Sequence, residues 1–543
     1  MLAQNLFLKI NSWVFTLLII LPILVIFYTA IGETTDVFSH LMSTVIGTYT
    51  LNTVLLVTGT VFLSLIMGIP SAWLMANYSI FGDRWLQWAL VLPLAMPGYI
   101  VGYIYTDWFD YAGPIQLFLR YVSGWTSVAQ YWCPDLRTLP GACFVLALVL
   151  HPYVYLLARA AFMEQNLTLT QSARLLGCSP MQSFFRISLP LARPAIAVGA
   201  SLVAMEALGD FGTVRYFAVS TLTTAVYDTW LEYSNLNAAA KISAIMLLVI
   251  FFLISSERYS RHKQELFCQH ACADKVTKVH LRGRYKLFAT VWCWSLFIIA
   301  FIGPFGQLLI YTKDYYFSSS IDNFFQCSLN SLYVSSVAAV IALAIALLVN
   351  FYQRFSVTAL RNVPARLASL GYAVPGTILA IGVLIALTSA DHLMNSIAKE
   401  TGWDKPGLLF SGSMFALLTA FVVRFSAIAI GSVESSLAKV SPSLDMAART
   451  MGCSMRSMIK RVQLPLIRRG CLIAILLVFI ESMKELNATL LLRPFNYETL
   501  ATYVFNYASD EQLEYGALPA VLLILVGLIP LIMINRSLEQ SHL

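Results

Sequence analysis

A polar stretch occurs twice in this chain of 543 residues, as QSARLLGCSPMQSFFRISLP at 171–190 and as MAARTMGCSMRSMIKRVQLP at 446–465. Gly177 and Gly452 are 275 positions apart, and the Leu-Pro pairs that end the two stretches keep the same spacing. Each stretch lies between long apolar segments. A polar loop duplicated inside a duplicated apolar domain is typical of a transport protein built from two homologous halves.

The composition favours a protein that lies in a lipid bilayer. Hydrophobic residues make up 58% of the chain and charged residues 12%, whereas a soluble domain carries about a quarter charged residues. The nine cysteines have no paired spacing, so no disulfide framework is predicted. The predicted fold class is an all-α membrane protein with about twelve transmembrane helices in two homologous halves. The candidate spans lie near 13–31, 52–78, 86–106, 141–163, 192–217, 238–255, 289–312, 328–351, 366–390, 409–431, 470–492 and 516–534.

Lysine and arginine are distributed unevenly among the loops. This distribution predicts the orientation of the chain in the membrane and marks a basic linker between the two halves. The segment 257–288 is strongly basic, as is the second polar stretch, and basic loops remain on the cytoplasmic side of a membrane. Both termini and both polar stretches are therefore predicted to be cytoplasmic. The net charge of +7 follows this topology and indicates neither a nucleic-acid nor an acidic partner. The predicted domains are a first transmembrane half at 1–256 (repeat core about 45–255), a basic linker at 257–288 and a second half at 289–543 (repeat core about 325–535).

The duplication extends beyond the polar stretches. Asn52 mirrors Asn330 at the start of a long apolar run, and Pro97-Gly98 mirrors Pro375-Gly376 inside an apolar segment. Such Pro-Gly steps are costly in lipid unless neighbouring helices satisfy the freed backbone groups. We therefore expect the halves to pack around a pseudo-two-fold axis along the membrane normal, with the broken helices facing inward.

The two polar stretches resemble the EAA loop in permeases of the binding-protein-dependent ABC importers: E-A-A, three residues, Gly, nine residues, then I-x-L-P. In that family the loop forms a short coupling helix that docks on a separate ATPase subunit. The residues before each glycine favour a helix, the glycine favours its end, and the later proline suits a helix start. The coupling residues that the resemblance implies are Gln171, Ser172, Ala173, Gly177, Leu189, Pro190, Met446, Ala447, Ala448, Gly452, Leu464 and Pro465.

Both copies depart from the family pattern at one position. The family glutamate is replaced by Gln171 in the first copy and by Met446 in the second, and Asp445 lies one position before Met446. A coupling contact that depends on this carboxylate is therefore changed in this chain. The glycine and the Leu-Pro end are retained, so the docking geometry is expected to be retained as well.

Three further stretches resemble the ferric-iron branch of these permeases: 103–114, 206–217 and 483–495, with Asn487 where the branch is expected to have proline. The resemblance covers most of both repeat cores and implies a fused permease that translocates ferric iron across the bacterial inner membrane. Thiamine importers also use fused permeases of this size and are the alternative within the class. An ion-coupled secondary transporter, which needs no ATPase, is the alternative from a different class.

Four acids are candidates for the translocation path: Glu206 and Asp210, and their counterparts Glu481 and Glu485. The members of each pair are four positions apart, so they lie on one helical face. Ionisable groups inside spans are costly and mark either pathways or structural pairs, and carboxylates suit a hard cation such as ferric iron. In the alternative interpretation, Lys484 pairs with one of these acids and holds the halves together.

The basic linker also contains residue types that bind metals. Cys268, His270 and Cys272 are closely spaced, but no second cysteine pair follows at the spacing of a zinc site. We interpret the segment as an ordinary basic linker and assign no metal ligands.

The chain has no G-x-x-x-x-G-K-[ST] motif, so it is predicted not to be an enzyme and to bind no cofactor. ATP would be used by partner subunits. The expected partners are two copies of an ABC ATPase, the lipid membrane and an extracytoplasmic iron-binding protein. Asp107 and Asp110 either contact the docked binding protein or lie in a solvated loop. Nucleic acid is not expected as a partner.

Overall fold

The structure is a computed structural model. It describes residues 2–32, 36–125, 127, 130–163, 165, 175–262, 279–281, 283–316, 321–356 and 358–541.

Helices make up nearly all of the secondary structure in these ranges, and the strands among them form one two-residue parallel pair, Tyr78–Ser79 with Val279–His280. Nine helical segments of the described chain are long and apolar enough to cross a membrane, a tenth is bent, and two are shorter. Together they match the twelve predicted spans, and the all-α membrane fold is confirmed. The nine are Leu6–Ile31, Ile46–Asn77, Leu139–Met163, Pro180–Gly209, Gly283–Asp314, Asp322–Phe355, Gly376–Thr401, Met414–Ala438 and Met455–Lys484; the bent pair is Asp83–Ala95 with Gly98–Ser123, and the short ones are Leu236–Phe252 and Ala517–Ile529.

The chain forms two compact units, each drawn from both halves of the sequence. The first unit comprises Met1–Thr44, Ala225–Leu247 and Ser320–Val504. The half boundaries at 256 and 289 thus remain predictions about the repeat and do not coincide with the units. The helices that begin in the first unit are Leu2–Ile31, Asp36–Thr44, Leu236–His262, Ile321–Phe355, Ala359–Asn362, Val363–Ala368, Leu370–Ala373, Gly376–Thr401, Met414–Ala438, Pro442–Thr450, Met455–Met458, Ile459–Gln463, Leu464–Lys484, Asn487–Leu492 and Leu500–Ser509.

The second unit comprises Val45–Thr224, Leu248–Ser319 and Phe505–Leu543. It contains the bent span and the two-residue strand pair. The helices that begin in it are Ile46–Asn77, Asp83–Ala89, Leu92–Ala95, Gly98–Phe109, Pro114–Ser123, Leu139–Met163, Pro180–Ser183, Phe184–Ser188, Leu189–Gly209, Gly212–Tyr216, Leu222–Leu231, Gly283–Phe297, Ile298–Ile302, Gly303–Asp314 and Ala517–Ser541.

The mirrored asparagines make equivalent contacts, each within its own unit. Asn52 Nδ2 donates to the carbonyl oxygen of Ser220 at 3.0 Å. Asn330 Nδ2 donates to the carbonyl oxygen of Glu498 at 2.9 Å. In both cases the acceptor lies 168 positions further along the chain. The repeat seen in the sequence is therefore also a repeat of long-range contacts.

The mirrored Pro-Gly steps are the points where helices begin. Pro97 and Pro375 have extended backbone, with ψ of 138° and 143°, and helices start at Gly98 and Gly376. At the first step the two helices of the bent span meet at 95°. Glycine is required there because a Cβ on Gly98 would lie 2.5 Å from Thr213 Oγ1. The predicted breaks are thus present in both units.

Two predicted spans end earlier than the sequence indicated. The helices expected over 192–217 and 470–492 end at Gly209 and Lys484, and a short helix follows each break. Apolar residues continue through both breaks, so hydropathy alone does not reveal them. Each break places a candidate path acid immediately after the end of a helix.

Candidate functional site

The second signature loop (residues 446–465) begins inside a helix that ends just before Gly452, as its sequence predicts. The helix is Pro442–Thr450, and Gly452 has a φ of +76°. The N–H of Gly452 donates to the carbonyl of Arg449, and that of Cys453 donates to the carbonyl of Ala448, both at 3.0 Å. These two bonds form a Schellman motif, which favours glycine because other residues are strained at positive φ.

This helix has a buried face and an exposed face. Asp445 and Ala448 are buried, whereas Ala447 is exposed. Met446 and Met451 are 62% and 75% exposed. Exposed apolar side chains beside a fixed helix end form a surface suited to contact with another protein.

The acid nearest to the missing family glutamate turns inward. Asp445 Oδ2 accepts a hydrogen bond from Arg354 Nε at 2.7 Å, and Asp445 Oδ1 accepts one from Gln463 Nε2. The remaining guanidinium nitrogens of Arg354 donate to the carbonyls of Leu437 and Val440, at 2.7 and 2.9 Å. Asp445 therefore contacts its own chain, not the exposed surface.

The first signature loop (residues 171–190) is described from residue 175 onward. Gly177 has a φ of +83°, close to that of Gly452. Leu175 and Leu176 are 89% and 85% exposed. The part that can be compared thus repeats the left-handed glycine and the exposed apolar side chains. The implied coupling residues that lie outside the described ranges are Gln171, Ser172 and Ala173.

A serine two positions after each glycine begins a further helix, a feature that the sequence comparison overlooked. The sequence Gly-Cys-Ser, which is identical at 177–179 and 452–454, could have revealed these serine caps. Ser179 forms a capping box with Gln182, and Ser454 caps its helix with a single side-chain acceptor. Both serines satisfy helix N–H groups that have no partner within the helix.

A π-helical turn precedes the Leu-Pro pair in both loops. The turns are Phe184–Ser188 and Ile459–Gln463, and in each the following leucine N–H donates to the carbonyl five residues earlier. Proline lacks an N–H, and its ring clashes with the carbonyl four residues earlier in an α-helix. A widened turn accommodates the proline. The α-helices then begin at Leu189 and Leu464, with the predicted Pro190 and Pro465 in their first turns.

Asp210 and Glu485 lie at the equivalent breaks after the two long helices. Asp210 Oδ1 accepts a hydrogen bond from the N–H of Thr213 at 2.9 Å. Glu485 Oε1 accepts one from the N–H of Ala488 at 3.0 Å. Each carboxylate therefore stabilises the N-terminus of the short helix that follows it.

The acids of the second repeat have basic partners. Arg424 Nη1 lies 2.9 Å from Glu485 Oε1, and both side chains are largely buried. Lys484 Nζ lies 3.4 Å from Glu481 Oε1, three residues away on the same helix. Lys484 thus pairs with an acid, as in the alternative interpretation, but the pair lies within one helix and connects no separate elements.

The first repeat lacks the equivalent cations. The positions 275 residues before Arg424 and Lys484 are Val149 and Gly209. In the parts of the chain that the structure describes, no basic side chain pairs with Asp210. Glu206, the remaining candidate, is partly buried. Asp210 and Glu485 therefore occupy equivalent positions, but in the described part of the chain only Glu485 pairs with a basic side chain.

Asp107, which the sequence places in a loop, lies in the last turn of the helix Gly98–Phe109, and Asp110 directly follows that helix. Tyr311 Oη donates to Asp107 Oδ2 at 2.6 Å, and Asp110 is exposed. Further along the second unit, Arg137 Nη1 lies 2.6 Å from Glu511 Oε1. The sequence did not single out this ion pair because its members are far apart in the chain.

Within the described ranges, no group of three or more His, Cys, Asp and Glu side chains has the geometry of a metal site. Cys268, His270 and Cys272 lie outside those ranges.

The apolar spans, the duplicated loops and the capped acids at helix breaks together define a membrane transport protein with two homologous halves. The chain belongs to the family of binding-protein-dependent transport system inner membrane components, whose model matches residues 64–261 and again residues 354–541. The predicted family and the fused duplication are thereby confirmed. The chain is a multi-pass protein of the inner membrane.

Several curated proteins are similar to this chain. The Fe(3+)-transport system permease protein FbpB 2 of Haemophilus influenzae is 25% identical over 490 residues, which is 89% of each chain. The ferric transport system permease protein FbpB of Actinobacillus pleuropneumoniae is 21% identical over 78% of this chain and 61% of its own length. The molybdenum transport system permease protein ModB of Escherichia coli is 31% identical, but over 38% of this chain and 89% of its own length.

Proposed function

We propose that this chain is the permease subunit of an ATP-driven importer that carries ferric iron across the inner membrane. The observation that carries the proposal is the similarity to a ferric permease over 89% of both chains. The molybdenum and sulfate permeases match 34% to 39% of this chain, which is about one repeat. A substrate assignment based on both repeats therefore favours ferric iron.

We propose that one ATPase subunit docks on each signature loop, giving two copies per permease. Support comes from the matching left-handed glycines at 177 and 452 and from the exposed apolar side chains beside them. This placement requires both loops to be cytoplasmic, in agreement with the lysine and arginine distribution. Closure of the ATPase pair on ATP would move both loops and rock the two halves, opening the path alternately to each side.

The chain itself would bind no cofactor in this scheme. An extracytoplasmic binding protein would deliver the ion to the outer side, and the ATPase subunits would use the ATP. We propose that Glu206, Asp210, Glu481 and Glu485 contribute to the path, with Asp210 the most important. Glu481 and Glu485 pair with Lys484 and Arg424, whereas no basic side chain in the described part of the chain pairs with Asp210 at its helix break.

The direct test is uptake of radiolabelled ferric iron under iron limitation, in cells that lack this chain and in cells that regain it. We expect uptake to return with the chain, and to require a partner ATPase. If iron uptake stays absent while labelled thiamine uptake returns, the importer class holds and the ferric assignment is wrong. Uptake that returns without any ATPase would instead indicate an ion-coupled transporter.

The role of Asp210 is tested by Asp210→Asn, with Glu481→Gln as the control. The asparagine keeps an oxygen acceptor for the Thr213 N–H, so we expect the amount of protein in the membrane to stay near normal. Iron uptake should fall on the order of tenfold with Asp210→Asn, and by less with the control, whose acid already has an offset charge. Equal uptake by the two variants would argue against an asymmetric path.

A further inference from the structure

We infer that Arg354, Asp445 and Gln463 form an internal latch that positions the second signature loop for its ATPase. The inference rests on the proposed coupling function and adds the residues that hold the docking surface in place. In this arrangement Asp445 acts inside the permease and does not contact the ATPase. The three residues are positioning residues, because none of them lies on the exposed face.

Arg354 joins three elements at the base of the loop. It lies at the end of the helix Ile321–Phe355, and it donates to Asp445 on the helix Pro442–Thr450. It also donates to the carbonyls of Leu437 and Val440, at the end of the preceding span. Carbonyls at a helix C-terminus have no partner within the helix, and a cation there is favourable. One guanidinium group therefore fixes the loop helix to two spans.

Gln463 binds the second carboxylate oxygen of Asp445. It is fully buried, and its side-chain amide donates to Asp445. It is also the last residue of the π-helical turn, directly before Leu464 and Pro465. The Asp445 carboxylate thus connects the helix before Gly452 with the span that follows the loop, so movement of one end is transmitted to the other.

Burial makes this latch sensitive to the loss of one member. The side chains of Arg354 and Asp445 are 15% and 12% exposed. Removing one partner of a buried ion pair leaves the other charge uncompensated, so the effect exceeds the net contribution of the pair. Asp445 and Ala448 are the buried residues of the helix Pro442–Thr450. Few other side chains therefore hold this helix in place.

The first half has other residue types at the positions equivalent to the latch. The positions 275 residues before Asp445 and Gln463 are Thr170 and Ser188. With the 278-residue offset that relates Asn52 to Asn330, the counterpart of Arg354 is Ala76. None of these three can form an ion pair. The three latch residues are therefore not repeated at the equivalent positions of the first half.

Two native cysteines provide a matched probe. Cys178 and Cys453 directly follow Gly177 and Gly452, and both are partly exposed. We would measure the N-ethylmaleimide reaction rate at each cysteine by peptide mass spectrometry, with the full chain in native membranes, in the wild type, Arg354→Gln and Asp445→Asn. The control is Arg361→Gln, an exposed arginine shortly after Arg354 in the chain.

We expect Cys453 to react on the order of tenfold faster in Arg354→Gln, because the helix end beside it opens more often. The milder Asp445→Asn should show the same selectivity with a smaller increase, and Cys178 should be unchanged in both. Arg361→Gln should behave as the wild type. The change must occur with and without the ATPase, because the latch lies within this chain.

Unchanged labelling of Cys453 in both latch variants would overturn the inference, and so would a change that occurs only when the ATPase is present. Labelling that rises equally at both cysteines would indicate general misfolding and would also count against a local latch. Iron uptake is measured in parallel. If the wild type imports no iron, the proposed function fails, while the labelling still decides whether the latch exists.

Discussion

The two signature loops have the same backbone geometry but are held by different side chains. Both have a left-handed glycine, with φ of +83° at Gly177 and +76° at Gly452, followed by a serine cap and a π-helical turn before Leu-Pro. The Arg354–Asp445 ion pair holds the second loop, and the equivalent positions of the first half are Ala76 and Thr170. The shared features are those that identical partner subunits would need to recognise. The unshared ones would allow the two halves to respond differently to the proposed ATPase partner.

The same distinction holds at the breaks in the spans. Asp210 and Glu485 both cap the helix that follows, but Arg424 pairs with Glu485 and its counterpart is Val149. The helix break and its carboxylate cap are thus repeated in both halves, whereas the basic partner of the carboxylate differs between them. This comparison predicts which substitutions affect both halves alike and which affect one.

The largest effect is expected from proline at the shared glycines. Gly452→Pro cannot adopt the positive φ, since proline is fixed near −65°, and it removes the N–H that bonds to Arg449. We expect iron uptake to be abolished while the protein still inserts into the membrane, and the same for Gly177→Pro. The measurement is labelled iron uptake, normalised to the amount of permease in the membrane.

A graded control for this prediction is Gly452→Ala, which retains the N–H. Alanine in the left-handed region costs about 1–2 kcal/mol, so this variant should retain part of the uptake. Normal uptake by Gly452→Pro would refute the coupling assignment. Loss of uptake with Gly452→Pro but not with Gly177→Pro would show that only the second loop transmits the ATPase movement.

A smaller effect, confined to one half, is expected from Arg424→Val, which copies the residue of the first repeat. It leaves the buried Glu485 carboxylate without its cation, and breaking a buried pair costs about 3–5 kcal/mol. The measurement is the apparent midpoint of thermal unfolding in detergent. The control is Lys484→Gln, which removes a more exposed ion pair worth about 0–1 kcal/mol.

The double variant Arg424→Val with Glu485→Gln sharpens the test. It removes both charges, so we expect it to regain much of the stability that the single variant loses. A double variant that is as unstable as Arg424→Val would mean that the arginine acts through packing and not through its charge.

The sequence predicted the features that depend on local pattern. Hydropathy predicted the twelve spans, and Gly452 predicted the end of the helix before it. The 275-residue repeat predicted that both loops would share one geometry, and the described part of the first loop agrees. Such features follow from the chain within a few residues, so a single sequence is sufficient.

The ionic contacts were beyond such a prediction. Arg354 and Asp445 are 91 positions apart, and Arg424 and Glu485 are 61 apart, so their contact depends on how the spans pack. The sequence drew attention to Asp445 because it neighbours the missing glutamate. It did not reveal that this carboxylate turns away from the exposed surface.

The smallest expected effects come from the serine caps, where the two loops differ only in degree. Ser179 Oγ accepts from the Gln182 N–H at 3.2 Å, and Gln182 Oε1 accepts from the Ser179 N–H at 2.9 Å. Ser454 makes one such bond, at 3.4 Å. Ser179→Ala should therefore cost about 1 kcal/mol of local stability and Ser454→Ala less.

The neighbouring cysteines report this difference directly. Since about 1 kcal/mol corresponds to roughly a fivefold change in an opening equilibrium, Cys178 should react about fivefold faster in Ser179→Ala. Cys453 should change less in Ser454→Ala, because a single long hydrogen bond is lost there. Gln182→Ala, which removes only the returning bond of the capping box, should give an intermediate rate at Cys178. Equal rate changes in the two loops would show that the returning bond of the capping box adds nothing to the serine cap.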